Sequence, residues 1–221
     1  MPAQPGSASV RFIEGAPDLE TLIDGVPEGI GNAYLQVNGK TVASAFNYGT
    51  LTPFVAVPSG TLSLVALDTL GYSVGPLASA ALSPGKRYTL IVVGTYPTYS
   101  VLTFDEPAGN GDAALSLYEA SPTVPQADFG SFAASSHSDF KQLGSASLGD
   151  VTTVTLGSRV TNFGGYVGPT SNPIGSVTPS QINSFDTDNV LPFHSADRLS
   201  LFLLDPKTGS TLGPVLSSLD Q

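Results

Sequence analysis

Apolar and polar residues alternate along this chain in short runs that end at Gly, Pro, Asn or Asp. A period of two puts alternate side chains on one face of an extended backbone, so each run predicts a half-buried β-strand. Ser9-Val10-Arg11-Phe12-Ile13 is the first run, followed by an acidic stretch with Gly and Pro from Glu14 to Asn32. Ala33 to Val37 alternates cleanly and meets Asn38-Gly39, the dipeptide best suited to a tight hairpin because both residues tolerate φ > 0. Thr41 to Phe46 is the predicted return strand. Further strands are expected at Phe54–Val57, Thr61–Leu67, Leu77–Leu82, Tyr88–Val93 and Tyr99–Phe104. That gives about eight strands in about 100 residues, the spacing of a β-sandwich.

Asp105 to Asp112 is polar, rich in Gly and Pro and poor in β-formers, which marks a boundary. The pattern then restarts. Leu115-Ser116-Leu117-Tyr118-Glu119-Ala120-Ser121-Pro122 echoes Val10-Arg11-Phe12-Ile13-Glu14-Gly15-Ala16-Pro17: a strand ending at Glu, two small residues, then Pro. Val151–Gly157 echoes Phe54–Gly60. Leu199–Leu204 and Thr211–Leu216 flank the turn Asp205-Pro206-Lys207-Thr208-Gly209, while residues 168–192 read as loop. No segment has a sustained 3.6-residue period; Asp18–Ile23 has room for one helical turn. The expected architecture is all-β: two tandem immunoglobulin-like antiparallel β-sandwich domains, with a tail at 1–7, a first domain at 8–106, a linker at 107–112 and a divergent second domain at 113–221.

Composition narrows the function. Charged residues are 12 % of the chain, against roughly 25 % in an average protein. The surface therefore relies on Ser, Thr, Asn and Gly. The net charge of −10 disfavours nucleic acid and anionic lipid as partners. Cysteine is absent, which excludes disulfides and thiolate metal sites. No apolar run is long enough for a transmembrane helix. The opening Met1-Pro2-Ala3-Gln4-Pro5-Gly6 has no charged and apolar leader, and the Ser/Thr-rich, Lys-poor composition reads as that of a secreted or cell-surface protein without its signal peptide.

Residues 8–104 resemble the bacterial family known as domain of unknown function 4397. The resemblance is carried by Val10-Arg11-Phe12-Ile13, Ala16-Pro17-Asp18, Val37-Asn38-Gly39, Tyr48-Gly49, Pro53-Phe54, Val57-Pro58-Ser59-Gly60 and Pro84-Gly85-Lys86-Arg87-Tyr88-Thr89. It implies an exported or cell-surface immunoglobulin-like sandwich, often in tandem, and no known activity. The family usually places His-Ala-Ser-Pro-Asp after its first strand, where this chain has Glu14-Gly15-Ala16-Pro17-Asp18.

Five patterns bear on chemistry. Gly71-Tyr72-Ser73-Val74-Gly75 matches the nucleophile elbow of α/β-hydrolases, but that elbow needs a following helix and Pro76 comes next, so it reads as a hairpin turn. His194-Ser195-Ala196-Asp197 gathers triad residue types, yet neighbours in an extended chain point apart, so it reads as surface loop. Asp186-Thr187-Asp188-Asn189 has the alternate-acid spacing of some calcium loops, which makes Asp186, Asp188 and Asn189 the metal candidates and calcium the only cofactor candidate. Glu14, Asp18, Glu20, Asp24 and Glu28 make an acidic loop, read as solvated, as a weak cation site or as a polar contact surface. The tyrosines at 34, 48, 72, 88, 96 and 99 read as pleat-filling, except that Tyr96-Pro97-Thr98-Tyr99 lies at a turn. Glu14, Asp18, Tyr96 and Tyr99 are therefore the binding candidates.

No pattern supplies a nucleophile, a base and an orienting group together, so the chain is read as non-catalytic. The expected role is a structural or adhesive protein of the cell envelope, with itself, other envelope proteins or glycans as partners. Assembly would run through edge strands or through the apolar ends, Ser7–Ile13 and Thr211–Leu219. The second reading is a carbohydrate- or small-ligand-binding module, calcium-assisted.

Overall fold

The structure is a computed structural model and describes residues 6–19, 33–107, 114–131, 141–155, 163–166, 173–177, 198–207 and 215–220. The chain divides into two compact units, Met1–Glu106 and Pro107–Gln221. The described residues form β-strands and almost no helix. None of their helical residues makes a helix long and apolar enough to cross a membrane.

The first unit contains β1 (Ser7–Glu14), β2 (Tyr34–Val37), β3 (Lys40–Ala43), β4 (Val55–Pro58), β5 (Ser63–Leu67), β6 (Ser73–Ala78), β7 (Arg87–Thr95) and β8 (Thr98–Asp105). They form two four-stranded sheets, ordered β4-β1-β7-β8 and β3-β2-β5-β6. The period-two pattern explains the core. Val10 and Phe12 of β1 and Leu90 and Val92 of β7 join Leu35 and Val37 of β2 and Leu64 and Ala66 of β5 in one buried cluster. Each large side chain buried this way contributes about 1.5–3 kcal/mol.

One expectation fails here. The sheets were expected to be purely antiparallel, but β1 runs parallel to β7, from Ser9 opposite Arg87 to Glu14 opposite Val92. The first strand lies beside the seventh, so the two ends that share a side of the unit come from distant parts of the chain. β1 is paired on both sides, by β4 and β7, and is buried on both faces from Val10 to Glu14. A parallel pair is typically buried in this way.

Arg11, a polar position in the alternation, is consequently buried. Its Nε donates to Thr89 Oγ1 at 2.7 Å and its Nη2 to Glu106 Oε1 at 3.0 Å. Phe54 lies under both Arg11 and Arg87, with guanidinium carbons 4.9 and 4.0 Å from the ring centre. The Asn38-Gly39 hairpin forms as its sequence predicts, with φ of 50° and 77°. The sixth strand lies earlier than the pattern suggested. It is Ser73–Ala78 rather than Leu77–Leu82, because the turn before it occupies Asp68–Tyr72 and the strand carries a register irregularity opposite Leu64–Ala66.

The second unit contains β9 (Ala114–Glu119), β10 (Gln126–Ser131), β11 (Lys141–Ser147), β12 (Val151–Thr155), β13 (Phe163–Tyr166), β14 (Pro173–Val177), β15 (Arg198–Leu203) and β16 (Val215–Asp220). Its sheets are ordered β12-β9-β15-β16 and β11-β10-β13-β14. Adding eight to every strand number of the first unit gives this order. The parallel pair recurs as β9 with β15. Leu115, Leu117, Ala127, Phe129, Ala146, Leu199, Leu201 and Leu203 make its core.

The 168–192 stretch, read as loop, contains β14. The return strand expected at Thr211–Leu216 is instead β16, which pairs Leu203 with Val215, so the connection from β15 is longer than the Asp205–Gly209 turn. The Val151–Gly157 echo was also misaligned. Val151 faces Tyr118 as Leu51 faces Ile13, and Val154 faces Leu115 as Val55 faces Val10. Val151 is therefore the counterpart of Leu51 rather than of Phe54.

Candidate functional site

Strand directions bring several turns of the first unit to one end. β1 ends at Glu14 beside Val92, so the β7–β8 turn at Tyr96-Pro97 follows just beyond it. Glu14 N donates to Thr50 O, and Ile13 bridges Leu51, which places the β3–β4 connection there. Phe46 N donates to Ala33 O, joining the same connection to the entry of β2. Tyr34 faces Leu67, so β5 exits at this end too and the turn 68–72 belongs to it.

A carboxylate holds each of two of these turns. Asp18 Oδ2 accepts the Tyr96 N–H at 2.9 Å, and its Oδ1 accepts the Tyr99 hydroxyl at 2.9 Å. Asp68 Oδ1 accepts the N–H groups of Leu70 and Tyr72 at 2.8 and 2.9 Å. An Asp that caps its own following turn is a local device that replaces a backbone acceptor. Burial, then the hydrogen bond and negative charge of Asp18, push the Tyr99 phenol above the usual tyrosine range. Three large apolar side chains nonetheless point outward here: Leu70 is 74 % exposed, Tyr72 62 % and Tyr96 67 %.

Three of the four binding candidates, Asp18, Tyr96 and Tyr99, therefore form one hydrogen-bonded cluster. Glu14 is not a surface contact. It is fully buried, and its Oε1 accepts the Ala16 N–H at 2.7 Å. The strand ends by folding its last side chain back over the turn. Tyr72 reverses the pleat-filling reading, since it precedes β6 in the turn instead of lying within a strand. The turn lies at Asp68–Tyr72, with Gly71 three residues after Asp68, rather than across Gly71–Gly75, whose last three residues are strand. Ser73 opens β6 and is exposed, with a strand and no helix after it.

The second unit repeats the loop after the first strand. Glu119 is fully buried and its Oε1 accepts the Ser121 N–H at 2.8 Å. Gly149 N donates to Glu119 O as Gly49 N does to Glu14 O, and Ala120 N donates to Leu203 O as Gly15 N does to Val92 O. Here the carboxylate that fastens the loop comes from the other partner. Asp205 Oδ1, just past β15, accepts the Thr123 N–H at 3.1 Å, the Thr123 hydroxyl at 2.7 Å and the Ser121 hydroxyl. Thr123 occupies the position of Asp18, and Asp205 that of Gly94. Burial raises the Glu119 carboxyl from 4.5 to about 8; the Ser121 N–H opposes this and the Asp205 charge adds to it.

A family model, Domain of unknown function (DUF4397), matches residues 8–130. The chain belongs to this family. The match runs from β1 through the whole first unit and on into β10, so it includes the Glu14 and Glu119 loops alike. No curated protein matches the chain.

The calcium candidates Asp186, Asp188 and Asn189 lie outside the described residues, as do His194, Ser195 and Asp197 and the loop acids Glu20, Asp24 and Glu28. Among the described residues, no three His, Cys, Asp or Glu side chains are grouped to hold a metal ion.

Proposed function

We propose that this member of the DUF4397 family is a non-catalytic, exported structural or adhesive protein of the cell envelope, built from two tandem immunoglobulin-like β-sandwich domains. The observation that carries the reading is the shared frame: among the described residues, eight strands in one sheet order, given twice, each with the loop after its first strand fastened by a buried Glu and a neighbouring Asp. Such a frame spaces similar modules along a chain and leaves their turns free to vary, as contact proteins require. The weakly charged, Ser- and Thr-rich composition supports the same reading. Assembly by terminal-strand addition would use β16, the edge of its sheet, because β1 is paired on both sides.

Surface labelling tests this. Intact producing cells treated with a membrane-impermeant biotin reagent should yield labelled protein, and electron microscopy should place it in the envelope or in extracellular material. Labelling that occurs only after lysis would overturn the proposal.

A further inference from the structure

The exposed side chains at the turn end of the first unit differ from ordinary exposed apolar residues in how their backbone is held. Leu70, Tyr72 and Tyr96 are the three most exposed large hydrophobics among the described residues, and each donates its backbone N–H to an Asp carboxylate. β6 and β8, the edges of the two sheets, touch, and the turns that lead into them, 68–72 and 95–98, lie at the same end of the unit. Two separate acids thus fix two turns at one end and present their rings outward. Ordering these turns before a partner arrives lowers the entropy cost of binding.

The charge of the patch selects the partner. Thr69, Leu70, Gly71, Tyr72 and Ser73, with Thr95, Tyr96, Pro97 and Thr98, are all exposed and include no Asp, Glu, Lys, Arg or His. Of the two acids nearby, Asp68 is buried and accepts backbone N–H groups, and Asp18, half-buried, accepts the Tyr96 N–H and the Tyr99 hydroxyl. In a chain of net charge −10, these two turns thereby present hydroxyls and aromatic rings and no charged side chain of their own. A pyranose has the complementary surface: C–H groups on its faces, which pack on a tyrosine ring, and hydroxyls at its rim, which pair with Ser, Thr and Tyr. An anionic glycan would be repelled by the rest of the chain. We infer that this end of the first unit is a preorganised binding face for neutral glycans, with Tyr72 and Tyr96 as the stacking residues. The inference gives a ligand class to the adhesive role proposed above and rests on that reading.

The full-length protein is applied to an array of neutral hexose and N-acetylhexosamine oligosaccharides and to insoluble cellulose and chitin. Binding should appear, and Tyr72→Ala and Tyr96→Ala should each weaken it at least about tenfold, as loss of a central aromatic anchor does. Both rings are exposed, so circular dichroism should be unchanged. Lys40→Ala, at the opposite end on the β2–β3 hairpin, should bind as the parent does. A blank array, binding to a protein partner alone, or glycan binding untouched by both tyrosine variants would overturn the inference. If surface labelling succeeds while the array is blank, the glycan assignment fails and the envelope reading stands. If glycans bind but labelling needs lysis, the envelope reading fails and the glycan face stands.

Discussion

Glu119 closes β9 with a carboxyl group that receives one hydrogen bond, from Ser121 N–H, while its Oε2 is buried without a hydrogen-bond partner. Asp205 lies across the same Ser121 and takes its hydroxyl. The second carboxyl is therefore cheaper to bury as the neutral acid, which raises its titration to about 8. The folded chain keeps a proton that the unfolded chain releases near 4.5. The resulting stability is fully present below that lower value and is lost as pH rises through about 8, to the extent of a few kcal/mol. The thermal midpoint of the second unit should fall between pH 5 and pH 9, and Glu119→Gln, which cannot ionise, should flatten the fall. Equal pH slopes for the two proteins would refute the assignment. In the first unit, burial raises the Tyr99 phenol most, and Asp18 adds to the rise by accepting its hydroxyl. Asp18→Asn should bring one tyrosine back toward the ordinary range in a spectrophotometric titration, and cost about 1 kcal/mol of stability in urea.

At the scale of elements, the two loop latches explain each other. Gly94 has φ of 102°, and a Cβ there would run into the Thr98 carbonyl oxygen. The tight β7–β8 hairpin admits no side chain at this point, so its fastening acid must come from the loop, as Asp18. The connection after β15 is longer, and the equivalent position carries Asp205. Gly94→Ala should therefore cost about 2 kcal/mol or more, seen as a lower urea midpoint, because both the backbone region and the space are unsuited to Ala. A midpoint within a few tenths of a molar of the parent would show that the hairpin relaxes.

Period-two alternation and turn chemistry made the strands of the first unit legible, because its core residues come from clean alternations such as Leu35 and Val37. They could not reveal that β1 pairs with β7, since a parallel partner 78 residues away leaves no local mark. Arg11 was opaque for the same reason: its partners Thr89 and Glu106 are brought in by that pairing. The echoed Glu-x-x-Pro was the most informative signal, as it marks the same loop in both units. Strands β10 and β11 escaped prediction because each pairs one large apolar residue, Phe129 or Leu143, with a single alanine among glycine and polar residues. The contact end was half legible: Tyr96 and Tyr99 stood out at a turn, whereas Asp68 and Tyr72 were hidden within a motif that suggested other chemistry.

For the whole molecule, charge and contact are separated. The chain carries 18 acidic against 8 basic side chains, yet the turns that carry the outward rings of the first unit, 69–73 and 95–98, have no charged side chain. A surface held by long-range electrostatics weakens when salt compresses the Debye length from about 14 Å near 50 mM to about 4 Å near 500 mM. Uncharged turns that work by ring stacking and hydrogen bonds at short range have no such term to lose. Retention of the purified protein on neutral polysaccharide should therefore change by less than about twofold across that salt range, while its acidic body should show no affinity for DNA even at the lower salt. Retention that collapses with salt would place the binding on charged residues elsewhere in the chain. Salt-independent retention that disappears with Tyr72→Ala would tie it to the turn end, where two aspartates hold the backbone of the ring-bearing turns.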